Sequence, residues 1–138
     1  MNKVLIIAML SLMSPQVMAA WTRLEGSPDT GVNVYANVGK VRSTGASTVK
    51  MQYLLDFQSK QKTISGIMYS SKKVLGEYDC DEESFRVLVS SLYTGQMGSG
   101  KVVKLTGNAS PWLPVEPNSL AVVLWKTACG KQTIERHL

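Results

Sequence analysis

Apolar and polar positions alternate along most of this chain, and the period changes only near its C-terminal end. Val32, Val34 and Ala36 alternate with Asn33, Tyr35 and Asn37, the spacing of a half-buried strand. Ala20–Glu25 reads as a short strand before the turn cluster at 26–31, and Val38–Arg42 either continues the second strand or starts a neighbour. Residues 47–57 form the next strand, with Val49, Met51, Tyr53 and Leu55 on one face. The polar run 58–62 is expected to turn, and 63–75 to form a long strand with a bulge or a close backbone approach at Gly66 and an interruption at Gly76. Asp81, Glu82 and Glu83 mark an exposed hairpin tip. A strand follows from Phe85 to Leu92, then a short one at Val102–Leu105. After Pro117 the apolar residues Leu120, Ala121, Leu124, Trp125 and Ala128 recur at three and four positions, which is helical spacing. Asn118 or Ser119 is placed to cap that helix, and Gly130 to end it. No repeat, linker or second domain interrupts the pattern. It predicts an α+β fold, one antiparallel β-sheet of five to seven strands with one C-terminal helix.

Residues 1–19 follow a different rule. Lys3 precedes an apolar run from Val4 to Met13, and Val17 and Ala19 stand ahead of Ala20. The run is about ten residues, too short to span a bilayer roughly 30 Å thick. The segment reads as a cleaved signal peptide, leaving one domain over 20–138 and an exported protein, with the periplasm favoured over the outer surface or secretion. No Cys stands near the cleavage position, so no lipid anchor is expected. Export in turn changes the meaning of the two cysteines. In an oxidising compartment Cys80 and Cys129, 49 positions apart, read as one structural disulfide tying the helix to the sheet. Closing a loop of that length contributes about 3–4 kcal/mol in the chain-entropy account.

Composition then removes most chemistry. The 138 residues include one His, His137, beside the C-terminus. That excludes a multi-His metal site and argues against Ser-His-Asp catalysis. Gly95–Lys101 matches the start of a phosphate-binding loop, but Val102 stands where Ser or Thr must reach magnesium, and a strand follows instead of a helix. A glycine-rich hairpin loop explains it better. Glu77, Asp79, Asp81, Glu82 and Glu83 crowd seven positions and read as a solvated hairpin tip, with Asp79 nearest the disulfide. No enzyme, cofactor, metal or nucleic-acid role is expected.

The formal charge of +5 conceals a polarised chain. Between 40 and 73 seven basic residues stand against the single acid Asp56. Lys60, Lys62, Lys72 and Lys73 are the candidate partner-binding residues of this stretch. Trp21, Tyr69, Tyr78, Tyr93, Trp112 and Trp125 are expected in the structural core, Trp112 being held between two prolines.

Landmarks over nearly the whole mature chain, taken in order, resemble a known family. They are Trp21, Val34-Tyr35, Leu55-Asp56-Phe57, Tyr69-Ser70-Ser71, Glu77-Tyr78-Asp79-Cys80 and Tyr93. Met97-Gly98-x-Gly100-x-Val102-Val103, Trp112-x-Pro114-Val115-x-Pro117-x-Ser119 and Trp125-x-x-x-Cys129 complete the series. The sequence is similar to the surface-adhesin protein E-like domain family of small exported Gram-negative proteins. The resemblance implies an antiparallel sheet with a C-terminal helix held by the Cys80–Cys129 pair. It also implies a non-enzymatic protein-binding role, in adhesins toward host matrix or plasma proteins. The alternative is a soluble periplasmic accessory or inhibitor protein, since the lipid-bearing Cys of displayed adhesins is missing.

Overall fold

A computed structural model describes the backbone of residues 20–136 and the side chains of residues 20–130. The signal-peptide reading of 1–19 and the candidate His137 lie outside the described residues. The chain forms strands β1 (Thr22–Arg23), β2 (Val32–Ala36), β3 (Arg42–Ser43), β4 (Thr48–Lys62), β5 (Met68–Asp79), β6 (Ser84–Tyr93), β7 (Val102–Thr106) and β8 (Leu113–Pro114). Helix α1 (Leu120–Arg136) follows. All strands join one antiparallel sheet in the order β1-β2-β4-β5-β6-β7, with β3 on β4 and β8 on β6. Five strands of ordinary length carry it, and the two-residue pieces extend it at the margins.

The period-2 pattern decides what the helix covers. Val34 and Ala36 of β2, Val49 and Met51 of β4, and Tyr78 of β5 are buried on one face together with Leu124, Ala128 and Cys129 of α1. Leu120 and Trp125 pack against the same cluster. Removing this apolar surface from water, at about 25 cal/mol per Å², is what holds a helix whose own propensity is weak. The Cys80–Cys129 disulfide ties the helix to the end of β5, with Cα atoms 5.7 Å apart. The Trp125 indole Nε1–H donates to the Asp79 carbonyl at 2.8 Å beside it.

Several boundaries differ from the sequence reading. Residues 58–62 are not a turn but the polar end of β4, paired through Gln61↔Tyr69 and Lys62↔Met68 after an irregularity beyond Asp56. The turn is at Thr63–Ile67, where the Thr63 N–H donates to the Ile67 carbonyl and the Ile67 N–H to the Thr63 hydroxyl. Gly66, at φ +92°, serves that turn and no bulge. Residues 38–40 wind into a 3-10 turn, leaving only Arg42–Ser43 as strand. Gly130 does not end α1, which runs to Arg136. It is not in the left-handed conformation that a glycine cap requires. Asn118 has φ +57°, and the Ser119 hydroxyl donates to the Glu116 carbonyl, so neither side chain caps the helix.

Gly76 does not interrupt β5; it makes room inside it. The Tyr78 ring lies over Gly76, where a Cβ would meet the phenol oxygen at 2.7 Å. Its partner strand shifts register at the same level, between Val89 and Val87. Gly76→Ala should therefore push the ring out and destabilise the fold by about 1–2 kcal/mol, overpacking outweighing the backbone-entropy gain of alanine. Urea unfolding checks it, and an unchanged midpoint would show that the ring shifts freely.

Candidate functional site

Among the described residues, the face of the sheet opposite the helix carries no second layer. Register puts Leu54 and Asp56 of β4, Ser71, Lys73, Leu75 and Glu77 of β5, and Arg86, Val89, Ser91 and Tyr93 of β6 on that side, with Leu105 of β7. Two returning segments partly cover it.

One is the glycine-rich loop 95–100. Met97 N–H donates to the Asp56 carboxylate at 2.8 Å. The buried Ser71 hydroxyl donates to the Gly95 carbonyl and accepts from the Gly98 N–H, at 2.6 and 2.9 Å. A Cβ at Gly98 would strike the Lys73 side chain, whose Nζ stands 5.2 Å from the Tyr93 ring centre. The Met97 and Gly98 N–H groups are thus spent on the sheet, and those of Gly95 and Ser99 on carbonyls inside the loop, so the loop is a flap fastened by Asp56 and Ser71.

The other is the proline-framed segment around Trp112. The Arg86 guanidinium contacts the Glu77 carboxylate through Nε at 2.7 Å and through a terminal nitrogen at 2.6 Å. The guanidinium carbon also lies over the Trp112 ring, 4.7 Å from its centre. Glu77 is buried, and Trp112 is 39% exposed. The expectation of Trp112 in the core is thus corrected. Arg86 and the fixed backbone at Pro111 and Pro114 hold the ring at the surface. Val89 and Leu105, 37% and 68% exposed, lie on the same face farther along β6 and β7.

The other aromatic candidates divide. Tyr78 is fully buried, Trp125 packs against the core, and Trp21 and Tyr93 are half-buried. Tyr69 is half-buried, its ring edge-on to Phe57. Burial pushes the Tyr53 phenol up to about 12, and burial with Tyr53 nearby raises Tyr78 well above its usual range. Both line an apolar cavity of about 180 Å³ under the start of α1, with Phe85, Val87 and Leu124.

The four lysines do not form one face. Lys60 and Lys62 are exposed at the far end of β4. Lys72 and Lys73 are neighbours on β5 and so point to opposite sides of the sheet. The acidic tip is structural at its root, where one Asp79 oxygen accepts from the N–H groups of Asp81 and Glu82 and from the Ser47 hydroxyl. Among the described residues no three His, Cys, Asp or Glu side chains gather as metal ligands, and no helix is long and apolar enough to cross a membrane.

Reasoning from sequence missed the Glu77–Arg86–Trp112 stack and the exposed Val89 and Leu105. The available signal was Arg86 inside an apolar strand and a tryptophan between prolines.

Known proteins share this architecture. Haemophilus influenzae protein E in its crystal form II superposes with a TM-score of 0.64 at 11% identity, over 83% of this chain and 91% of that one. Protein E from non-typeable Haemophilus influenzae gives 0.58 at 13% identity, over 90% and 93%. At such identities the likeness is one of fold. No curated protein sequence matches the chain significantly. The sequence profile described as Surface-adhesin protein E matches residues 21–130, which takes in the sheet, the flap, the Trp112 segment and the helix through both cysteines. The chain belongs to the surface-adhesin protein E family.

Proposed function

We propose that this protein is an exported, non-enzymatic binding module that engages a protein of the host matrix or plasma through the helix-free face of its sheet. The observation that carries the reading is the exposed Trp112, stacked on Arg86, on a sheet face that also exposes Val89 and Leu105 and carries no second layer among the described residues. Tryptophan and arginine held in a fixed pose are the residues that concentrate binding energy in protein interfaces. Lys60, Lys62 and Lys73 supply positive charge that would steer an acidic partner more than hold it.

Trp112→Ala and Leu105→Asp should each weaken binding to immobilised matrix or plasma protein at least about tenfold, the range of an interface anchor, without altering the fold. The double variant Lys60→Glu/Lys62→Glu should mainly slow association. If the lysine variant alone abolishes binding, the site lies at the end of β4 and not on this face.

A second reading rests on the sequence, where both cysteines lie far from the signal segment. It is a soluble periplasmic accessory protein using the same surface. Protease shaving of intact cells separates the two, because a periplasmic protein is protected.

A further inference from the structure

The helix-side face changes character beyond the reach of α1. One register row across β5, β6 and β7 reads Lys72, Leu92, Lys104, and the next reads Val74, Ser90, Thr106. The two lysines stand on the same side two strands apart, about 10 Å between backbones at ordinary strand spacing, within converging reach of their side chains. They line a cavity of about 250 Å³ together with Tyr69, Ser90, Leu92 and Thr106. No carboxylate lines it. Neither lysine has an acidic partner among the described residues.

We propose that this cavity binds a phosphate monoester, its oxygens held between the Lys72 and Lys104 ammonium groups and by the Ser90 and Thr106 hydroxyls. Two ammonium groups facing each other without an acid repel, and an anion turns that repulsion into attraction. Burial first, and Lys104 second, hold the Lys72 amine below the usual lysine range. Point-charge ammoniums and hydroxyls suit a tetrahedral oxyanion, whereas a planar carboxylate would favour the arginine fork that is missing. Tyr69 and Leu92 offer an apolar wall to the organic part. The site stands on the opposite side of the sheet from Trp112 and does not depend on the adhesive reading.

Amide chemical shifts should be followed while inorganic phosphate or glycerol 3-phosphate is added at low, constant ionic strength, with sodium chloride as control. Saturable shifts at Ser90, Leu92 and Thr106 are expected with either phosphate and not with chloride. Lys72→Gln and Lys104→Gln should each weaken binding about tenfold, the loss of one charge-assisted contact, and Lys60→Gln should leave it unchanged. Lys104 is exposed, so its variant tests the site even if Lys72→Gln folds poorly. Binding should fade as pH rises, earlier than an ordinary lysine would dictate, because Lys72 gives up its proton early. Flotation with phosphatidate vesicles assigns the source. Retention that Lys72→Gln removes points to a lipid headgroup, and binding of the free esters without retention points to a soluble ester. Equal shifts with chloride, or equal loss in Lys60→Gln, would overturn the proposal.

Discussion

Cys80→Ser/Cys129→Ser should lower the melting temperature by about 10–20 °C, the equivalent of about 3–4 kcal/mol for a domain of this size. The bond closes a loop spanning 49 positions, which contains β6, β7, β8 and the start of α1. Releasing it restores that freedom to the unfolded chain. It also acts on one element above all. The helix carries Val122, Val123 and Gly130, residues of modest or poor helix propensity, and neither Asn118 nor Ser119 caps it. Leu124, Ala128 and Cys129 hold it to the sheet from one side. Without the bond, helical amides should lose hydrogen-exchange protection well before those of β4 and β5, whose pairing is continuous from Thr48 to Asp56. Thermal melting with exchange measurements checks both statements. A shift within about 2 °C, the size of a surface substitution, would mean that packing alone fixes the helix.

How far the fold could be read follows from where burial leaves a mark on the sequence. Strand β4 was legible from 47 to 57 because Val49, Met51, Tyr53 and Leu55 all face the helix. It was lost after Asp56 because its end, Gln58 to Lys62, runs mostly through solvent and needs only backbone pairing with β5. A polar run carries no period to detect. The helix was legible from Leu120, Leu124 and Ala128, but not its end, since Gly130 costs only about 1 kcal/mol inside a helix and need not stop it. The disulfide followed from two cysteines once residues 1–19 were read as a signal peptide. The helix-free face was hidden for another reason. Asp56 meets Met97 41 positions away, and Ser71 meets Gly95 and Gly98 at 24 and 27. Such bonds leave no local pattern. The lysines showed the converse fault, since charge counted along the chain ignores that Lys72 and Lys73 project to opposite sides.

Arg86→Met should cost about 2–4 kcal/mol, less than the 3–5 typical of a fully buried pair because the arginine side chain is 33% exposed. The Glu77 side chain is only 9% exposed, and both guanidinium contacts fall on a single one of its oxygens. Removing the arginine leaves a carboxylate among neighbours that cannot replace water. Glu77→Gln should cost less, about 1 kcal/mol, because a neutral amide oxygen still accepts from Arg86. The double variant Glu77→Met/Arg86→Met should recover much of the loss, as well-packed apolar groups commonly do in place of a buried pair. Urea unfolding of the three variants gives the coupling directly, and additive losses would show that the two side chains do not act together. The pair has a second consequence on the exposed side. Trp112 rests on the guanidinium face at 4.7 Å, a contact contributing about 0.5–1 kcal/mol at an exposed site. The double variant restores stability but not that contact, so its Trp112 ring loses the support that fixes its pose. If the helix-free face is the adhesive surface, Glu77→Met/Arg86→Met should fold nearly as well as the parent and still bind partner more weakly. Full binding by a stably folded double variant would mean that the pair serves the fold alone and that Trp112 keeps its pose through the flanking prolines.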